Sequence, residues 1–230
     1  MGIAEALRKV QAQIINAANK SGRNAADVKL VVVTKTVETR KIIEAIQTGA
    51  VILGENRVQE ARKKIESPEL RVMGNQIEWH LIGNLQKNKA RTAVQLFDLI
   101  HSVDSEALAA EIDSHARKIG KRQRVLVQVK LSDEAAKHGI IENNLMALLK
   151  QTAGMDCLKL EGLMTMPPYF EDPENARPYF RKLRQLADKA IGKGFTIDEL
   201  SMGMSNDFEV AIEEGATMVR VGTAIFGERD

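Results

Sequence analysis

Eight short apolar or β-branched runs, alternating with longer helical patterns, constrain this chain more than any other feature. The runs are residues 29–34 (KLVVVT), 51–53, 78–82 (EWHLI), 99–103, 124–129 (RVLVQV), 158–164, 199–202 and 218–221 (MVRV). Helical patterns fill 38–48, 57–65, 86–96, 105–119, 142–153, 174–191 and 206–214, and an amphipathic helix near 3–19 precedes the first run. Strand and helix in alternation predict a parallel sheet with right-handed crossovers. Eight strands with seven helices between them predict an α/β fold closed into a (β/α)8 TIM barrel, with an additional N-terminal helix. The competing architecture is an open doubly wound sheet, which places a Gly-rich turn after its first strand. Here that position reads Thr34-Lys35-Thr36-Val37-Glu38, without glycine. No Gly/Ser linker or composition break divides the 230 residues, so one domain is expected over 1–230.

Charge narrows the function classes. Lys plus Arg is 33 and Asp plus Glu is 31, a net of +2, and the basic residues are scattered. That balance argues against a nucleic-acid partner. No stretch approaches a membrane span, and the N-terminal segment lacks the apolar core of a signal peptide. The lone cysteine, Cys157, permits no internal disulfide, which fits a reducing cytoplasm. The four histidines lack ligand spacing, so no metal site is expected; His80, beside Trp79, reads first as core packing.

Barrel enzymes and binding proteins build their sites at the C-terminal ends of the strands. The residues there include Lys35, Gly54-Glu55-Asn56, Gly83-Asn84, Gly203-Met204-Ser205 and Val221-Gly222-Thr223, with Ser201 and Arg220 near the ends of their runs. The loops after the seventh and eighth strands commonly hold a phosphate, and SMGMS and VGTAIFG supply hydroxyls and glycines there. Closure of the eighth strand against the first predicts that Lys35 and Arg220 are neighbours. Position alone leaves Lys35 either an amine that attacks an aldehyde or a solvated loop lysine. Ser205 or Asn206 reads as the cap of the following helix, and Tyr169 as a surface-loop aromatic.

The segments VVVTKT, LGENRVQEA, EWHLIGNLQKNK, LIHSVDS, LEGLMTMPPY and above all ELSMGMSNDFEVAIEEGATMVRVGTAIFGER resemble the pyridoxal-phosphate homeostasis proteins, a family similar in fold to the barrel domain of alanine racemase. The resemblance spans nearly the whole chain. It implies a fold-type III barrel that binds pyridoxal 5′-phosphate (PLP) and serves B6 vitamer and amino-acid homeostasis. It matches Lys35 to the Schiff-base lysine and Arg220 to the arginine facing the pyridine nitrogen. Ser201, Gly222 and Thr223 match phosphate contacts, with the Gly203–Ser205 turn beside them. Asn56 matches a polar residue near the ring. Racemases of related fold add a β domain carrying a second base, for which the sequence past the eighth run leaves no room. The implied protein therefore holds the cofactor without a dedicated catalytic activity, with PLP-dependent apoenzymes as possible recipients. The alternative is a low-activity amino-acid racemase or transaminase. Lys137 is a candidate lysine for a second cofactor site.

Overall fold

The computed structural model describes residues 2–132, 134 and 138–228; Lys137 lies outside the described residues. Its eight parallel strands are β1 (Lys29–Val33), β2 (Ile52–Glu55), β3 (Glu78–Leu81), β4 (Leu99–Val103), β5 (Gln123–Gln128), β6 (Leu158–Met164), β7 (Glu199–Met204) and β8 (Met218–Val221). They follow one another around a closed barrel, sealed where β8 pairs with β1: Lys29 stands opposite Met218 and Val31 opposite Arg220. The TIM-barrel expectation holds, with the extra N-terminal helix in place.

The helices are α1 (Ile3–Lys20), α2 (Thr39–Gln47), α3 (Val58–Ile65), α4 (Pro68–Arg71), α5 (Ala90–Leu96), α6 (Glu106–Lys118), α7 (Glu142–Ala153), α8 (Arg177–Ile191), α9 (Phe208–Glu213) and α10 (Thr223–Phe226). Apolar residues three and four apart give each long helix one face for the sheet. On α8 these are Phe180, Leu183, Leu186, Ala187 and Ala190, all buried. Among the described residues no helix is long and apolar enough to cross a membrane.

Three local readings change. Helix α9 starts at Phe208, and neither Ser205 nor Asn206 caps it: the Ser205 hydroxyl accepts from Gly222 N, Asn206 Nδ2 donates to Phe170 O, and Asp207 stands at the N-cap position with its carboxylate accepting from Met204 N rather than from the helix. The 86–96 helix opens as a 3-10 turn over Lys87–Lys89. Helix α4 was not anticipated, although Ser67 accepts from Leu70 N at 3.4 Å and Pro68 opens the helix, an ordinary start signal.

Strand side chains alternate between two faces. One face packs under the helices in the main core, and the other fills the barrel. The interior is layered. At the N-terminal end Lys29 pairs with Glu199, and Arg124 bridges Glu78 and Glu161. Above them Val31, Val33, Ile52, Leu99, Leu126, Met164 and Met218 form an apolar layer. Lys29, Val31 and Val33 all face inward on β1, so the same period brings Lys35 out over the barrel mouth.

Truncating Phe180 empties a fully buried site in the α8 face. Phe180→Ala should cost about 3–5 kcal/mol in urea unfolding, whereas Ile191→Ser, at the exposed end of the same helix, should change stability by about 0.5 kcal/mol or less. Equal losses at both positions would contradict the packing described.

Candidate functional site

The segment bearing Lys35 is clamped from below. Thr34 Oγ1 donates to Glu55 Oε1 at 2.6 Å. Lys64 Nζ, almost buried, donates to Thr34 O (2.6 Å), Glu55 Oε1 (2.7 Å) and Glu60 Oε1 (2.7 Å), and Glu60 also accepts from Thr36 N. Thr36 sits at φ 58°, a left-handed conformation that a β-branched residue seldom adopts. The clamp over-determines that turn and so fixes where the half-buried Lys35 leaves the strand. Burial pushes the Glu55 carboxyl above its usual range, with the bonds from Lys64 and Thr34 opposing.

Asn56 follows β2, held where the loop after β3 crosses it. A Cβ on Gly83 would lie 2.2 Å from Asn56 O, so only glycine permits this crossing. Asn56 Oδ1 is buried and has no hydrogen-bond partner. At β7, Gly203 takes φ +91°, and a Cβ there would lie 2.6 Å from Ala211 Cβ. That approach lays the strand end on α9 and turns the chain so that Ser205 meets β8. Its hydroxyl receives Gly222 N at 3.1 Å and Ala224 N at 3.5 Å.

These segments enclose a cavity of about 420 Å³, lined among others by Lys35, Asn56, Ser205, Arg220, Gly222 and Thr223. That volume suits a small cofactor. The structure thus brings six of the eight expected residues together. Gly203 lies against α9. Ser201 is fully buried beneath Arg220, accepting from Arg220 Nη1 at 2.6 Å, and does not line the cavity. Tyr169 is exposed, as a loop aromatic should be, yet it also lines the cavity at its rim.

Arg220 donates its remaining resolved bond to Thr165 O at 2.9 Å, so both of its interior acceptors are neutral. Burial pushes its guanidinium down to about 10, with Asp207 opposing. It remains a cation at neutral pH, next to a second basic residue at the same mouth, and the pocket favours an anion. Asp207 is itself raised by burial, while the bond from Met204 N opposes.

Sequence reasoning passed over the layer below. Ser201 Oγ meets His101 Nδ1 at 2.9 Å, His101 Nε2 meets His80 Nδ1 at 3.0 Å, and His80 Nε2 meets Glu78 Oε1 at 2.9 Å. Both imidazoles are fully buried. Burial, with the charges of Arg220 and Arg124 assisting, holds His101 well below the usual histidine range. The available signal was the strand period: Glu78 and His80 share the inward face of β3.

The fold and this pocket place the chain among the parallel barrels of the alanine racemase N-terminal domain family, which it matches over residues 7–230. It is 45% identical over 230 residues to the pyridoxal phosphate homeostasis protein of Aquifex aeolicus (strain VF5), covering 100% of this chain and 99% of that one. PipY of Synechococcus elongatus PCC7942, solved with PLP bound, is 37% identical with a TM-score of 0.87, covering 98% of this chain and 100% of PipY. Alanine racemase of Clostridium difficile 630 shares the fold at 19% identity and a TM-score of 0.73, over 98% of this chain and 57% of the racemase. The chain belongs to the pyridoxal phosphate homeostasis protein family.

The hydrogen bond from His80 is the main reason that Glu78 is lowered from 4.5 to about 2; burial opposes it, and the charge of Arg124 assists. A carboxyl held below its unfolded value contributes stability above about 4.5 that is lost as pH falls towards 2. Glu78→Gln should therefore flatten the decline in unfolding free energy across that window. An unchanged slope in denaturant titrations would contradict the pairing.

Proposed function

We propose that the pocket holds PLP as a Schiff base on Lys35 and that the protein serves intracellular B6 vitamer and amino-acid homeostasis. The observation carrying this reading is the convergence of Lys35, at the end of β1, and buried Arg220, on β8, on one small cavity. The residues fit the group. Lys35 offers an amine to an aldehyde. The unpartnered Asn56 Oδ1 offers an acceptor at the wall. Ser205 and Thr223 offer hydroxyl donors suited to a phosphate, beside the backbone of Gly222. Arg220 offers a donor to the ring nitrogen. The complete-length likeness to PipY, solved with PLP bound, supports the same assignment.

Bound there, the cofactor supplies an electrophilic carbon and an electron-withdrawing ring. The chain's own groups favour holding it over driving turnover. Arg220 keeps its proton at neutral pH and hydrogen-bonds without surrendering it, so it does little to strengthen the ring as an electron sink. The exposed rim at Tyr169 leaves the mouth open to water, which suits exchange of cofactor with PLP-dependent apoenzymes in the cytoplasm.

Borohydride reduction followed by peptide mapping tests the lysine. The label should fall on Lys35, and Lys35→Ala should abolish the covalent chromophore while the fold persists. A label on another lysine would overturn the assignment.

The phosphate assignment is tested separately with Ser205→Ala and Thr223→Val. Each lost bond to the charged group should cost about 1.5–3 kcal/mol, roughly ten- to a hundredfold in affinity for PLP. Pyridoxal, which lacks the phosphate, should be little affected; equal losses for both ligands would exclude these hydroxyls from phosphate binding.

A further inference from the structure

A single file of hydrogen bonds runs down the barrel interior from Arg220 through Ser201, His101 and His80 to Glu78, where Arg124 joins it. Glu78 and Arg124 also line an open depression at the N-terminal end of the strands, so the file joins the pocket to water at the opposite face. Its three middle members are fully buried, in a layer otherwise filled by Val31, Leu99, Leu126 and Met218.

The direction of the file follows from which atoms carry protons. Arg220 has only donors, so Ser201 Oγ accepts from it. The Ser201 proton then finds its acceptor at His101 Nδ1, which must be bare. His101 Nε2 therefore carries the ring proton and donates to His80 Nδ1, and His80 Nε2–H donates to the Glu78 carboxylate. The opposite order leaves the Ser201 proton without an acceptor and sets a bare His80 nitrogen against the carboxylate. Every donor thus points from the pocket towards Glu78, and the carboxylate anchors the sequence.

We propose that Ser201, His101 and His80 are positioning residues for Arg220: His101 turns the Ser201 hydroxyl so that its oxygen faces the guanidinium, and this fixes the edge that Arg220 presents to the ring of the cofactor. The second bond, to Thr165 O, holds Nη2, so two anchored nitrogens define the guanidinium plane. An arginine without the Ser201 bond keeps its charge but loses one of the two points that fix its orientation.

The proposal rests on the reading of the pocket as a PLP site, and its test separates the two. His101→Leu removes the acceptor at the Nδ1 position, whereas His101→Asn restores one there. His101→Leu and Ser201→Ala should each weaken PLP about tenfold. His101→Asn should recover most of that loss. Against a PLP analogue whose ring nitrogen is replaced by C–H, wild type and both weakened variants should bind equally, because the misplaced arginine no longer has an acceptor to miss. A merely structural role would weaken both ligands alike and would leave His101→Asn no better than His101→Leu; either result overturns the proposal. Ser201→Ala, the smallest change, decides the point should His101→Leu fail to fold. Nitrogen-15 spectra of the ligand-free protein give an independent reading. The Arg220 Nη protons should be slowly exchanging in wild type and in His101→Asn, and averaged in His101→Leu. The ring-nitrogen shifts should place the His101 proton on Nε2, and a proton on Nδ1 would also overturn the proposal. Absence of any reducible adduct in wild type would refute the cofactor reading alone, with the Arg220 spectra still deciding the positioning role.

Discussion

The pairing of β8 with β1 is the constraint on which the rest depends. Val31 opposite Arg220, with Lys29 N bonded to Thr217 O at 2.7 Å, turns a ribbon of eight strands into a closed surface. Closure removes both sheet edges, leaving no open ladder of donors and acceptors. It also sets the residue that leaves β1 beside the last inward residue of β8. Neither Lys35 nor Arg220 makes a pocket alone. The site is a property of the seam.

Placing charge at that seam is costly in a dry interior, and the surroundings answer the cost differently on each side. On the β2 side, Glu55 is buried against Lys64, whose amine is shared among three oxygens, so a buried carboxyl and a nearly buried amine neutralise one another. On the β7 side, Arg220 meets two neutral oxygens, and the nearest opposing charge, Asp207, acts at a distance. The positive potential left over is directed at the mouth. An anion placed there removes a desolvation cost already present in the free protein, which is what pre-organisation means physically.

The architecture was legible in the sequence because a period of two and a period near 3.6 are different signals, and here they alternate cleanly. Three strands, 99–103, 158–164 and 218–221, matched to the residue. Lys35, Asn56, Ser205, Arg220, Gly222 and Thr223 could be placed because the ends of parallel strands meet at one face. Ser201 and Gly203 were harder. Their run ends in a shift of register between Ser201 and Met204, so counting from the strand end put Ser201 higher than it lies and hid the contact of Gly203 with α9. His80 reads from the sequence as core packing and His101 only as one of four histidines without ligand spacing, and a single buried histidine says nothing about its partner. Their pairing depends on the stagger between β3 and β4, where His80 stands opposite Leu99, and no local pattern encodes that offset.

The seam joins segments separated by nearly the whole length of the chain, and contacts of such sequence separation carry the largest loop-closure cost until the elements between them have docked. A nascent chain still lacking β8 already displays Lys35 but has no arginine across from it. Assembly of the mouth is thereby tied to the docking of β8, and a molecule with β8 misregistered has the Lys35 amine without Arg220 across from it. An intact mouth thus reports that β8 has docked against β1.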